Sequence, residues 1–159
     1  EGMGESISNG LEVIQENGKT RIKVNTKNSE VSYVIDGIEY AADSLKNGIP
    51  DEIATVNMIT SPTNAKKSYV VINTKQKKGQ FISYANGVLK YKYNKQEYTL
   101  NPEKLEEPAL VINNRLTRSF NIDPVQIIQI RPASELERQL LGAPSAQVII
   151  VTDKMGFFF

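Results

Sequence analysis

The chain of 159 residues contains no histidine, no cysteine and no tryptophan. Without the first two there is no Cys-His zinc site, no haem held by His or Cys, and no Cys-ligated iron–sulfur cluster. Ser-His-Asp and Cys-His catalysis are excluded on the same ground. Only carboxylate, hydroxyl or lysine chemistry remains. A cysteine-free chain carries no redox signature and argues against a small disulfide-stapled secreted module. Long apolar runs are missing too: none approaches the roughly 18–20 residues of a membrane-spanning helix. The opening Glu1-Gly2-Met3-Gly4 has neither the basic flank nor the apolar stretch of a signal peptide.

Acids are missing from one long segment. Residues 53–96 hold eight lysines and no acid, whereas residues 1–52 hold ten acids and five Lys or Arg, and residues 97–159 hold eight acids and six. The formal net charge of +1 therefore hides a strongly basic middle. It consists of Lys66, Lys67, Lys75, Lys77, Lys78, Lys90, Lys92 and Lys95, with Tyr69, Tyr84, Tyr91 and Tyr93 interleaved. Such a surface suits single-stranded nucleic acid, an anionic glycan or an acidic protein face. The plainer reading is a solvated strand. Lysines guard exposed edges, and Lys90-Tyr91-Lys92-Tyr93 alternates as a half-buried strand does. Candidates for partner contact are Lys66, Lys67, Lys75, Lys77, Lys78, Tyr84, Tyr91 and Tyr93, with nucleic acid the least favoured partner.

What the chain does have is a faint copy of itself. At an offset of 77, Ser8-Asn9-Gly10-Leu11 lies over Ala85-Asn86-Gly87-Val88, and Asn17 over Asn94. Tyr33-Val34-Ile35-Asp36-Gly37 lies over Leu110-Val111-Ile112-Asn113-Asn114 at the same offset. After a short gap, Pro50, Ile53 and Val56 match Pro124, Ile127 and Ile130, and residues 70–75 match 149–154. The chain is therefore read as two tandem units, 1–78 and 79–159.

Each unit reads as the same series. Strands at 11–15 and 20–24 flank Asn17-Gly18, and strands at 88–93 and 96–100 flank Asn94-Lys95. Asn-Gly takes the positive φ angles of a tight hairpin turn. Buried strands follow at 31–35 and 109–112, then a turn begun by proline, then strands at 55–59 and 126–131. In the second unit Ser134 is a plausible N-cap with Glu137 three residues on, and Gly142 a plausible end, so a helix is expected over about 133–141. The first unit has poor helix formers at 61–67. Strands at 69–74 and 147–152 close the units. A strand–helix–strand step favours parallel pairing, so mixed sheets are expected. The fold class is α+β, with two β-rich units and few short helices.

These segments resemble the plug domain of TonB-dependent receptors, in the form common in Bacteroidetes envelope proteins. The likeness rests on the Tyr33–Gly37 strand and turn, on Pro50, Ile53 and Val56, and on Val71 to Lys75. In the second unit it rests on Leu110 to Ile112, Pro124, Ile127, Ile130, Leu141-Gly142 and 148–154. The first unit departs in lacking the helix and its glycine, and the second has Asn113-Asn114 in place of Asp-Gly. A chain this short has no room for the receptor's transmembrane barrel. Similar plug-like segments form the extracytoplasmic tails of membrane metallopeptidase antirepressors. The resemblance implies a non-catalytic module in the periplasm or at the outer membrane, docking another envelope protein. It carries over no ligand and no catalytic residue.

Other motifs are weak. Gly18-Lys19-Thr20 looks like the end of a phosphate loop, but its first glycine would be Val13 and its context is a hairpin. Asp36, Glu39 and Asp43 could gather for calcium, without EF-hand spacing. Glu106-Glu107 and Asp51-Glu52 sit beside prolines as loops or helix starts. There is no Ser-x-x-Lys and no Gly-x-Ser-x-Gly. No catalytic residue, metal ligand or cofactor is assigned. The leading expectation is a protein-interaction or sensory module. The second is a module for an anionic glycan or other polyanion using 66–95, and the third a carboxylate- or lysine-based hydrolase.

Overall fold

Hairpin turns organise this chain. Among the described residues seven non-glycine residues have positive φ, and all seven lie in two-residue turns: Asn17, Asp36, Asn86, Asn94, Lys95, Asn113 and Asn114. Both central residues of each of these turns are left-handed, for example Asn17 at 51° with Gly18 at 74°, and Asp36 at 51° with Gly37 at 88°. This geometry matches the twist of the strands it joins.

The computed structural model describes residues 6–8, 11–24, 30–45, 48–49, 51–75 and 82–152. It is mostly β-sheet, with mixed sheets and few helices. No helix among the described residues is long and apolar enough to cross a membrane. The chain divides into two compact units, Glu1–Lys75 and Gln76–Phe159.

The first unit contains β1 (Ser6–Ser8), β2 (Leu11–Glu16), β3 (Lys19–Val24), β4 (Glu30–Ile35), β5 (Ile38–Ala41), β6 (Ile53–Thr60) and β7 (Lys67–Thr74). The first three form an antiparallel meander. The others form a mixed sheet in the order β5-β4-β7-β6, with β4 and β7 parallel. One face of that sheet carries Tyr33, Val70 and Ile72, which pack with Ile49 and with Ile22 and Val24 of β3. A bridge between Thr20 and Ile49 ties the meander to the segment before β6.

The second unit contains β8 (Ile82–Ala85), β9 (Val88–Tyr93), β10 (Gln96–Leu100), β11 (Leu110–Ile112), β12 (Arg115–Thr117), β13 (Ile127–Pro132), α1 (Glu135–Leu140) and β14 (Val148–Thr152). It also has a meander, β8-β9-β10, and a mixed sheet in the order β12-β11-β14-β13, with β11 and β14 parallel. All five residues of β14 are buried, because both faces are covered. Leu110, Ile130, Val148 and Ile150 pack with Leu89, Tyr91 and Phe120. On the opposite face Val111 and Ile149 pack with Ala143 and Ala146, just beyond α1.

The helix is shorter than the expected 133–141. Ser134 Oγ accepts from the Glu137 N–H, and the Glu137 side chain accepts from the Ser134 N–H, so the capping box is complete. Gly142, at φ 62°, ends it in the left-handed conformation. The turn begun by Pro124 is a 3₁₀ turn over Pro124–Gln126, with Asp123 accepting from the Val125 N–H. Its counterpart Pro50, like Lys77 and Lys78, lies outside the described residues. Strands β5 and β12 go beyond the sequence pattern: each is the short return arm of the hairpin closed by the Asp36-Gly37 or the Asn113-Asn114 turn.

Candidate functional site

The candidate contact residues are divided between the two units. The described lysines of the set lie in the first unit. Lys66 is exposed in the turn before β7. Lys67 Nζ is 3.4 Å from Glu39 Oε2 and 4.9 Å from the centroid of the Tyr69 ring. Its ammonium is held above the usual lysine value, first by the hydrogen bond to Tyr69 and then by Glu39. Lys75 Nζ is 3.7 Å from Glu52 Oε2.

The tyrosines lie in the second unit and turn inward. Tyr91 is 2% exposed and stacks on Tyr98 with ring centroids 4.9 Å apart. Tyr84 stacks on Phe120 at 4.6 Å, and Tyr93 packs against the same core. Lys90 and Lys92 on β9 are exposed. The Lys-Tyr alternation is therefore the period of a half-buried strand, lysines outward and rings inward. A buried ring cannot stack on an incoming base or sugar, so Tyr91 is withdrawn from the contact surface. Burial pushes its phenol well above the ordinary tyrosine range, with the neighbouring Tyr98 adding to the effect.

Two polar arrangements escaped the sequence reading. In the first unit Asp36 accepts from the Thr74 N–H at 2.9 Å and from Thr74 Oγ1 at 2.6 Å. In the second, Asn113 Oδ1 accepts from the Thr152 N–H at 3.0 Å, and Asn113 Nδ2 donates to Thr152 Oγ1 at 2.9 Å. Each clasp ties a hairpin turn to the end of the parallel neighbour strand, 38 or 39 residues on. The backbone repeats the bond: Asp36 N–H donates to Ile72 O, and Asn113 N–H to Ile150 O, both at 2.9 Å. Asp36 is thus committed to Thr74 and is not gathered with Glu39 and Asp43. Among the described residues no three acidic side chains converge to hold a metal ion.

Among the described residues the other arrangement occurs in the second unit alone. Arg131 on β13 donates from both terminal nitrogens to the two carboxylate oxygens of Glu137, each at 2.6 Å. Arg131 Nε donates to Gln129 Oε1 at 2.8 Å. All three side chains are buried. A buried fork-to-fork pair of this kind is strong and directional. Glu137 serves twice, since it also completes the cap of α1.

A shallow open depression of about 440 Å³ in the second unit is lined by Leu105, Glu106, Glu107, Arg138, Ser145 and Gln147, among others. Its fixed polar groups are engaged in holding the loop. Arg138 donates to Ala133 O, Ala146 O and Glu135, and Ser145 Oγ to Pro108 O. No nucleophile with an adjacent base lines it.

The chain matches no family model, no curated protein and no solved structure.

Proposed function

We propose that the chain is a non-catalytic docking or sensory module of a bacterial cell-envelope protein, exposed outside the cytoplasm. In this reading it consists of two divergent plug-like repeats in tandem. The observation that supports it is a shared construction. Both mixed sheets have the same strand order, and both carry a bulge at the start of the outer strand, Ile53/Thr55 or Ile127/Gln129. Both close the turn on the far strand with an Asx–Thr clasp. What recurs is sheet-building apparatus, while the buried polar side chains are engaged with one another.

A scaffold of this kind offers sheet edges, where main-chain groups bind an incoming strand and side-chain pockets select it. The partner in this reading is another envelope protein, and no cofactor or metal is invoked. The polyanion alternative has less behind it: Lys67 and Lys75 face carboxylates, and Tyr84, Tyr91 and Tyr93 pack on the core.

Capture from an envelope extract tests the reading, followed by binding of the purified partner. Affinity that survives high salt fits docking by strand addition. Binding to a heparin column that collapses with salt would favour the polyanion. Retention of neither ligand would remove both readings.

A further inference from the structure

Strand β6 stands at the edge of its sheet, with no second neighbour strand among the described residues. Edge strands are ordinarily blunted by charge, proline, brevity or a bulge. The other outer strands of the two mixed sheets use these devices. β5 has four residues with Glu39 among them, and Ser44 Oγ donates to its last carbonyl, Ala41 O, at 2.7 Å. β12 has three residues and starts with Arg115. β13 ends in Arg131-Pro132. β6 has only its bulge, between Ile53 and Thr55. It runs for eight residues, Ile53–Thr60, without a charge. A long, uncharged, β-prone edge is the kind that pairs with another chain.

The phase of the ladder shows which groups face outward. Antiparallel pairs alternate between those that exchange backbone hydrogen bonds and those that do not. Ser61 N–H donates to Lys67 O at 2.9 Å. By alternation, Ile59, Asn57 and Thr55 bond to β7, while Thr60, Met58 and Val56 turn their N–H and C=O outward. Met58 agrees, since its N–H has a local acceptor, Asn57 Oδ1, at 2.9 Å.

We propose that β6 pairs antiparallel with β6 of a second copy of the chain, about a two-fold axis through Met58. Met58 then faces the partner's Met58, and Val56 faces the partner's Thr60. Once each Met58 N–H leaves Asn57 Oδ1, the outward groups of both strands make about six hydrogen bonds, and two four-stranded sheets become one. Charge selects this occupant and direction. Exposed Asp51 precedes β6 and exposed Lys66 follows it, while Glu52 and Lys67 already face Lys75 and Glu39 of their own unit. Two-fold pairing brings the acidic end of each copy toward the basic end of the other, and no like charges oppose along the strand. The proposal goes beyond the docking reading, because it stands on the edge of β6 itself and needs no foreign partner.

The native chain has no cysteine, so introduced thiols report on register. In the proposed pairing position 57 faces the partner's position 59. Full-length Asn57→Cys and Ile59→Cys chains, mixed and oxidised, should form a disulfide-linked dimer several-fold more readily than either alone. Sedimentation of the native chain should show a monomer–dimer equilibrium. Asn57→Lys with Ile59→Lys, which sets lysines opposite lysines, should weaken it about tenfold or more. Neither residue belongs to the apolar cluster beneath the sheet, and an unchanged melting temperature confirms the fold. A chain still monomeric at about 100 µM overturns the proposal. Equal cross-linking of the single variants overturns it too. A monomer that still captures an envelope protein removes this proposal and leaves the docking role. A dimer that captures nothing removes the docking of another protein and leaves the self-pairing.

Discussion

The two units arrange four strands in the same order but cover them by different means. In the second, α1 and the loop after it lie on one face of the mixed sheet, and a buried Arg131–Glu137 pair joins helix to strand. In the first, the corresponding stretch 61–66 is an exposed run of turns. The shared parts are the tight turns, the bulge and the clasp. Among the described residues the α-helix belongs to the second unit alone. The ion pair follows from that helix. Once a helix N-terminus is set over β13, Glu137 caps it and at the same time neutralises a guanidinium that has left water.

The largest break in the comparison should come from that pair. Glu137→Ala leaves Arg131 charged and buried without its carboxylate, a loss of roughly 3–5 kcal/mol. Amide exchange should show protection falling in the second unit and holding in the first. Arg131→Met combined with Glu137→Leu should recover most of the loss, because a matched apolar pair avoids desolvating two charges. Equal loosening of both units by Glu137→Ala would end the claim that the pair serves one unit only.

Alkaline titration probes the two apolar cores. Burial raises the phenol pKa of Tyr33 in the first unit and, more strongly, of Tyr91 in the second. A folded value above the unfolded one means stability that is complete below the ordinary tyrosine value of 10.0 and is lost as pH rises toward the folded value. The second unit should therefore lose more stability above that point. Tyrosinate absorbance should rise late and together with the loss of near-ultraviolet dichroism. Tyr91→Phe should flatten the alkaline limb of the second unit and leave that of the first.

The clasps should behave alike despite their different chemistry. Asp36→Ala and Asn113→Ala each leave a threonine N–H without its side-chain acceptor, at about 1–3 kcal/mol. Asp36→Asn gives the first unit the Asn–Thr geometry already present in the second, and should cost much less than Asp36→Ala in urea unfolding. A large loss on Asp36→Asn would show that the charge matters in the first unit, and the two clasps would no longer be equivalents.

Much of this was legible in the residues and some was not. Asn17-Gly18 and Asn86-Gly87 announce their hairpins, because few other residue pairs take positive φ so readily. Ser134, Glu137 and Gly142 announce the helix by the groups its ends leave unbonded. The alternation of β9 told which way Tyr91 and Lys90 point, although interleaved charge and rings also suggested a binding face. The clasps and the ion pair were not legible. Asp36 meets Thr74 across 38 residues, and Arg131 meets Glu137 only because α1 folds back over β13. Local spacing carries no trace of either.

The smallest effect lies in the turns themselves. The first unit has glycine at the second position of both its described hairpin turns, Gly18 and Gly37, whereas the second unit has Lys95 and Asn114 in two of its three. Lys95 sits at φ 69° with a Cβ that disfavours that region. Lys95→Gly should stabilise the second unit by about 0.5–1 kcal/mol, the lost strain exceeding glycine's greater freedom in the unfolded chain. Asn114→Gly should gain less, since asparagine tolerates the left-handed region. In the reverse direction, a Cβ at Gly18 meets nothing within 4 Å, so Gly18→Lys tests backbone strain without a clash. It should cost the first unit about what Lys95→Gly gains in the second, a shift of a few degrees in melting temperature. Equal and opposite shifts would mean that the two turns are interchangeable parts. Unequal ones would mean that β9 and β10 are held in register by the stacked Tyr91 and Tyr98 more than by their turn.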